Sequence, residues 1–112
     1  MISVVIPLFN KASTIERCLN SVNNQIQIPD ELIIINDGSQ DHSLQIVNAW
    51  VKKNTKIYCR IINQPNKGVS YSRNKGVALS RNNFVLLKLL SKFCLLRASI
   101  IRITTLNFVS EF

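Results

Sequence analysis

Short, unbroken apolar runs rich in β-branched residues recur along this chain, and a stretch with helical periodicity separates each from the next. Ile2 to Ile6 is the first run, closed by Pro7, and Leu32 to Ile35 within Glu31 to Asn36 is the second. Runs of this length and composition suit strands buried on both faces. Between them Ile15, Cys18, Leu19 and Val22 keep the i, i+3, i+4, i+7 spacing of one helical face. Ser13 with Glu16 three residues on is a capping-box pattern, so a helix is expected from about 14 to 25.

A second helix, about 41–53, puts Leu44, Val47, Trp50 and Val51 on one face. Ser39 or Asp41 can cap it, and Lys52 and Lys53 suit its last turn. Lys56 to Asn63 reads as a third strand, with Ile57, Cys59 and Ile61 alternating against Lys56, Tyr58 and Arg60. Val69 to Ser80 is a third helix, weakened by Gly76 in its interior, and Phe84 to Leu87 a fourth strand. The order β-α-β-α-β-α-β predicts an α/β fold: a parallel-strand sheet with right-handed crossovers and helices on both faces. At 112 residues this is one domain at most. Beyond Leu87 the periodicity blurs, and only a helix over 86–98 and a strand over 99–109 can be drawn.

The net charge of +8 is compatible with phosphate-bearing ligands, nucleic acid or anionic membrane, and equally with a solvated basic surface. The cations are scattered, with no run beyond Lys52-Lys53, and no zinc-finger or RNA-recognition pattern is present, so nucleic acid is not the expected partner. Cys18, Cys59 and Cys94 form no CxxC pair and read as small core residues in a reducing compartment. His42 reads as a solvated first-turn residue. The N-terminus lacks the basic region of a signal peptide, and no uncharged apolar run approaches the ~20 residues that span a bilayer. A cytoplasmic protein is expected.

Open parallel sheets bind ligands at the carboxyl ends of their strands. Three polar clusters fall at such ends: Leu8-Phe9-Asn10, Asn36-Asp37-Gly38-Ser39 and Asn66-Lys67-Gly68. Neither GxGxxG nor GxxxxGK[ST] occurs, which removes the dinucleotide fingerprint and the P-loop. An acid ending the second strand suits a nucleoside, because its carboxylate can accept from a ring N–H or a ribose hydroxyl. Asp37 fits equally an Asx turn beside Gly38. Lys67, Arg73 and Lys75 are possible counter-charges to a diphosphate.

Three segments together resemble the opening motifs of family-2 glycosyltransferases. They are Val4-Val5-Ile6-Pro7-Leu8-Phe9-Asn10-Lys11, Leu32 through Asp41 with Asn36-Asp37-Gly38-Ser39 at its centre, and Asn66-Lys67-Gly68 through Arg73-Asn74-Lys75-Gly76. The resemblance covers about residues 2–87. It implies a Rossmann-like GT-A fold, here incomplete, and a nucleoside-diphosphate sugar as partner, from which intact relatives transfer the sugar to an acceptor hydroxyl with inversion. Nucleotide binding would fall to Pro7, Phe9, Asn10, Asp37, Gly68, Arg73 and Asn74, with Pro7 and Phe9 at the base and Asp37 contacting it. Asn36 stands where the family often has a second Asp, and Ser39 and Asp41 would cap the second helix rather than touch ligand.

The chain departs from the family at the end of the fourth strand. There relatives carry Asp-x-Asp, whose carboxylates hold a divalent metal, Mg²⁺ or Mn²⁺, against the diphosphate. Here Lys88-Leu89-Leu90-Ser91 follows instead, and no Asp occurs after Asp41. Leu and Lys cannot supply the oxygen ligands such ions need. The acceptor half and its general base are also missing, so no catalytic or metal residue is assigned. The expected division is residues 1–87 as a nucleotide-sugar-binding half and 88–112 as an apolar, basic tail outside the family pattern. Two accounts of that tail stand: a frameshift or early stop, which is favoured, and an amphipathic segment lying peripherally on anionic membrane. The alternative to a transferase remnant is a catalytically silent nucleotide-binding or interaction module.

Overall fold

A computed structural model of the chain describes residues 2–24, 28–54, 56–82, 84–87 and 99–102. The elements are β1 (Ile2–Leu8), α1 (Ile15–Asn23), β2 (Glu31–Asp37), α2 (Ser43–Lys53), β3 (Tyr58–Gln64), α3 (Val69–Leu79), β4 (Phe84–Leu87) and β5 (Ser99–Arg102). They form one sheet of order β3-β2-β1-β4-β5. β1 pairs in parallel with both β2 and β4, β2 pairs in parallel with β3, and β5 runs antiparallel to β4. The chain steps outward from β1 to β3, then returns to the other side of β1. Right-handed crossovers then place α1 and α2 on one face and α3 on the other, as the order of elements predicts.

The alternation of side chains along each strand divides the core in two. Val4, Ile6, Leu8, Leu32 and Ile34 pack with Ile15, Cys18, Leu19, Val22, Val47 and Trp50 of α1 and α2. Val5, Ile33, Ile35, Val85 and Leu87 pack on the α3 side with Val77. The same alternation turns Pro7 and Asp37 toward α3 at one end of the sheet, and Ser3 and Glu31 toward it at the other. Trp50 Nε1 donates to Asn20 Oδ1 at 2.9 Å and ties α2 to α1. Cys18 is fully buried and Cys59 packs against the same core, as expected for small apolar residues.

Several local expectations change. The capping box at Ser13 does not form: α1 begins at Ile15, preceded by Thr14 with no side-chain cap. The amides of Thr14 and Ile15 both donate to Lys11 O, so a turn starts upstream and Ser13 sits inside it. β2 extends to Asp37, one residue beyond the expected end, because Asp37 still pairs with Gln64 across the sheet. Leu86 and Leu87 do not start a helix; they pair with Val4 and Val5. The rest of the helix expected over 86–98 lies outside the described residues, as does the strand expected over 99–109 after Arg102. Among the described residues no helix is long and apolar enough to cross a membrane.

Glu31 organises the end of the sheet remote from the strands' carboxyl termini. Its side chain is fully buried. It accepts from Ser3 Oγ at 2.9 Å, Arg81 N at 3.0 Å and Arg81 Nε at 3.1 Å, with Arg60 Nη1 at 3.5 Å. Burial pushes its pKa up, but the donors from Arg81 and Ser3 and the two guanidinium charges outweigh burial and hold it below the usual carboxylate range. With the folded pKa below the unfolded one, the network's stabilisation is complete at neutral pH and is lost as pH falls through the folded value. Glu31→Gln is expected to lower stability by about 2 kcal/mol at pH 7, with exposed Arg81 contributing little of it. Acid titrations of Trp50 fluorescence should show the gap from wild type closing below about pH 4; a gap that stays constant into acid would refute this role.

Candidate functional site

A cleft of about 350 Å³ opens at the carboxyl ends of β1 and β2, against the first turn of α3. Pro7, Leu8, Phe9 and Lys11 line it from β1 and the loop after it, and Asp37 from the tip of β2. Asn66, Gly68, Val69 and Ser72 complete it from the β3–α3 loop and α3. Its rim is apolar and accessible, with Phe9 44% and Val69 50% exposed. Gly38 and Gly68 adopt positive φ, +76° and +95°, where a side chain is strained. Each lets a loop reverse immediately above the sheet. A Cβ on Gly38 would also lie 3.0 Å from Asn66 N, so the two loops touch there.

Asp37 is the centre of the arrangement. It is 3% exposed. Its Oδ1 accepts from Gln64 Nε2 at 2.9 Å and from Lys67 N at 2.7 Å, and its Oδ2 from Gly68 N at 3.0 Å. Burial raises its pKa, yet the donors from Gln64, Lys67 and Gly68 outweigh burial and keep the carboxyl below the ordinary aspartate value. A carboxylate offers about four acceptor sites. Three are occupied by protein donors, and Asp37 is among the residues that line the cleft. Gln64 also donates to Ser72 Oγ at 3.1 Å, and Ser72 Oγ donates to Gly68 O at 3.0 Å, which binds the first turn of α3 into the same network.

The Asx turn expected as the alternative for Asp37 is made by its neighbour. Asn36 Oδ1 accepts from Ser39 N at 3.2 Å, while Asn36 Nδ2 donates to Asn63 Oδ1 at 3.0 Å. Strand alternation explains the exchange: successive side chains face opposite sides, so Asn36 stays over its own turn and Asp37 crosses to α3. Ser39 does not cap α2; it accepts from Asn10 N at 3.1 Å. Asp41 accepts from Ser43 N at 2.9 Å at the start of α2 and also from Ala12 N at 3.1 Å. Burial raises the pKa of Asp41, but donors from Ser43 and Ala12 outweigh it and lower the value overall.

Of the residues singled out for nucleotide binding, Pro7, Phe9, Asp37 and Gly68 line one cleft. Asn10 stands beside it with φ +49°, its Oδ1 accepting from Gln40 N at 2.8 Å. Arg73 and Asn74 are not on the wall. Arg73 is 9% exposed, donates from Nη2 to Ser70 Oγ at 3.3 Å, and has a buried Nε with no partner among the described residues. Asn74 is exposed on α3. Nor do the side chains of Lys67 and Lys75 line the cleft; Lys67 serves through its backbone N–H. Lys11 is the lining cation that sequence reasoning passed over, although it closed the first quoted motif.

The divalent metal implied by the family does not fit the donors present among the described residues. Among the described residues no group of three or more His, Cys, Asp or Glu could hold a metal ion. Asp37 and Asp41 are engaged by several protein donors each, and Glu31 lies at the opposite end of the sheet. The residues following β4 in sequence, Lys88-Leu89-Leu90, carry no carboxylate.

Comparison with known proteins agrees with this geometry. Chondroitin synthase of Pasteurella multocida (strain Pm70) is 37% identical over 70 residues, 62% of this chain but 7% of that protein. Cholesterol galactosyltransferase of Borreliella burgdorferi is 38% identical over 72 residues, 64% of this chain and 20% of that protein. The structure of S. aureus TarS 1-349 in complex with UDP-GlcNAc matches at TM-score 0.69 and 29% identity, over 79% of this chain and 26% of TarS. Mannosyltransferase PcManGT from Pyrobaculum calidifontis, solved with GDP-Man and Mn²⁺, matches at TM-score 0.74 over 80% of this chain and 27% of its own. At 18% identity it speaks to the fold alone, a GT-A Rossmann-like sheet. The chain spans about a quarter or less of each of these proteins. The sequence model of glycosyl transferase family 2 matches residues 3–87, ending at the last residue of β4, and the chain belongs to that family.

Proposed function

We propose that the cleft holds the nucleoside diphosphate portion of a nucleotide sugar, and that this chain binds it without transferring the sugar. The carrying observation is Asp37, a carboxylate fixed by three donors at the wall of an apolar-rimmed cleft. A ring N–H or ribose hydroxyl is a donor that such a carboxylate accepts. Phe9 offers a half-exposed ring for a base to lie against, Pro7 and Val69 give apolar walls, and Lys11 is the counter-charge for the diphosphate. The UDP-GlcNAc bound to the TarS structure supports this class of ligand.

The binding unit is residues 1–87, where the family match ends, and residues 88–112 form a segment outside it. No Asp follows Asp41 in the sequence, and the side chains of Lys88-Leu89-Leu90 after β4 offer no oxygen ligand, which favours binding without metal and without turnover. Titration calorimetry with UDP and GDP, each with and without Mn²⁺, tests this. We expect one of them to bind equally in both conditions, and Lys11→Ala to weaken binding on the order of tenfold through loss of one charged contact. Binding of neither nucleotide would refute the assignment. Binding only with Mn²⁺, or sugar transfer by the purified chain alone, would refute the metal-free, silent reading.

A further inference from the structure

The loop after β1 is held from outside as well as by the turn at its own Lys11 carbonyl. Three consecutive amides, Asn10 N, Lys11 N and Ala12 N, donate to Ser39 Oγ at 3.1 Å, Ser43 Oγ at 2.9 Å and Asp41 Oδ2 at 3.1 Å. All three acceptors come from the connection between β2 and α2 and the first residue of that helix. Asn10 Oδ1 returns a contact by accepting from Gln40 N at 2.8 Å. Ser43 Oγ donates its own proton to Asp41 Oδ1, so its lone pairs are left to face Lys11 N–H. Ser43 is fully buried, which fixes that hydroxyl. Phe9 and Lys11, the two residues this loop contributes beyond the strand itself, both line the cleft.

We propose that Ser39, Asp41 and Ser43 are positioning residues for the cleft. By clamping the amides of residues 10–12 they set where the Phe9 ring and the Lys11 ammonium stand, without touching ligand themselves. Helix capping alone does not account for the pattern: Ser39 makes no bond to α2 here, and one Asp41 oxygen is directed to Ala12 instead. The functional side of this role rests on the cleft being a nucleotide site.

The test uses the full 112-residue chain with Ser39→Ala, Ser39→Thr and Asp41→Ala. Amide hydrogen exchange is expected to speed up roughly 10- to 100-fold at Ala12 in Asp41→Ala, the loss of one bond to a charged acceptor, with Val4 to Ile6 of β1 unchanged. Side-chain NMR signals of Phe9 and Lys11 should shift while those of Val69 and Ser72 on the opposite wall do not. UDP affinity should fall on the order of tenfold in both alanine variants and return in Ser39→Thr, which restores a hydroxyl acceptor for Asn10 N. Unchanged exchange at residues 10–12, or wild-type UDP affinity in a variant whose loop amides have opened, overturns the proposal. A wild-type chain that binds neither UDP nor GDP overturns the nucleotide reading instead, and the positioning role is then decided by the exchange and side-chain signals. Should Asp41→Ala fail to fold, the part-exposed Ser39 pair carries the test.

Discussion

Gly76→Ala will unseat α3 from the sheet and lower stability by roughly 3 kcal/mol, the upper part of the range for overpacked cores. An alanine Cβ built at this position meets Val5 Cγ1 at 2.2 Å and Val5 Cγ2 at 3.2 Å. Val5 is fully buried on β1, the central strand of the five, and its β-branched side chain has little freedom to turn aside. Alanine's better helix propensity favours the variant by about 1 kcal/mol, which the clash exceeds. Relief can come only from lifting α3, and α3 carries Val69 and Ser72 of the cleft. Nucleotide affinity should therefore fall together with stability. Val5→Ala leaves only its own Cβ, at 3.3 Å from the added carbon, so Gly76→Ala should be far better tolerated in that background. Urea unfolding of the two single variants and the double measures the coupling. Additive losses would mean the helix does not sit where these distances place it.

Asp37→Ala is expected to lower stability by about 3 kcal/mol and to abolish measurable nucleotide binding. The substitution leaves Gln64 Nε2, Lys67 N and Gly68 N without their acceptor, and each such bond to a charged group contributes about 1.5–3 kcal/mol, not additively. Asp37→Asn is the sharper variant because it keeps the shape. Its single carbonyl oxygen can serve the Oδ1 donors or the Oδ2 donor but not both, and its NH₂ then opposes an N–H. We expect the amide variant to retain most of the fold, expose Lys67 and Gly68 amides to exchange, and bind UDP at least tenfold more weakly, the loss of about one bond to a charged acceptor. Wild-type protection of those two amides in Asp37→Ala would show that the loop is held by other means.

Both results turn on the same piece of architecture, the approach of α3 and its leading loop to the tips of β1 and β2. The sequence pattern anticipated the elements here but not their contact. Gly76 read as a weakness in a helix; against the sheet it is the position that lets α3 approach Val5. Asp37 read equally as a nucleoside contact or a turn former; the Asx turn falls to Asn36, and Asp37 accepts from the backbone of the loop before α3. It holds the loop that forms the far wall and itself lines the cleft.

The order of strands and helices was determined by the chain itself. Continuous β-branched runs can be satisfied only by burial on both faces, and the amphipathic stretches between them supply the two covers. The alternation of side chains along β2 even settled which of Asn36 and Asp37 faces α3, once the strand's extent is known. What the tertiary structure alone decided is which backbone donors each polar side chain meets. Ser39 and Asp41 look the same in sequence whether they cap their own helix or hold a loop some thirty residues earlier in the chain, because hydrogen-bond acceptors carry no address. Only the parallel pairing of β1 with β2 brings those two loops side by side. The selection of Lys11 over Lys67 and Lys75 as the cation on the cleft wall has the same origin: charge is visible in a sequence, but its direction is set by packing.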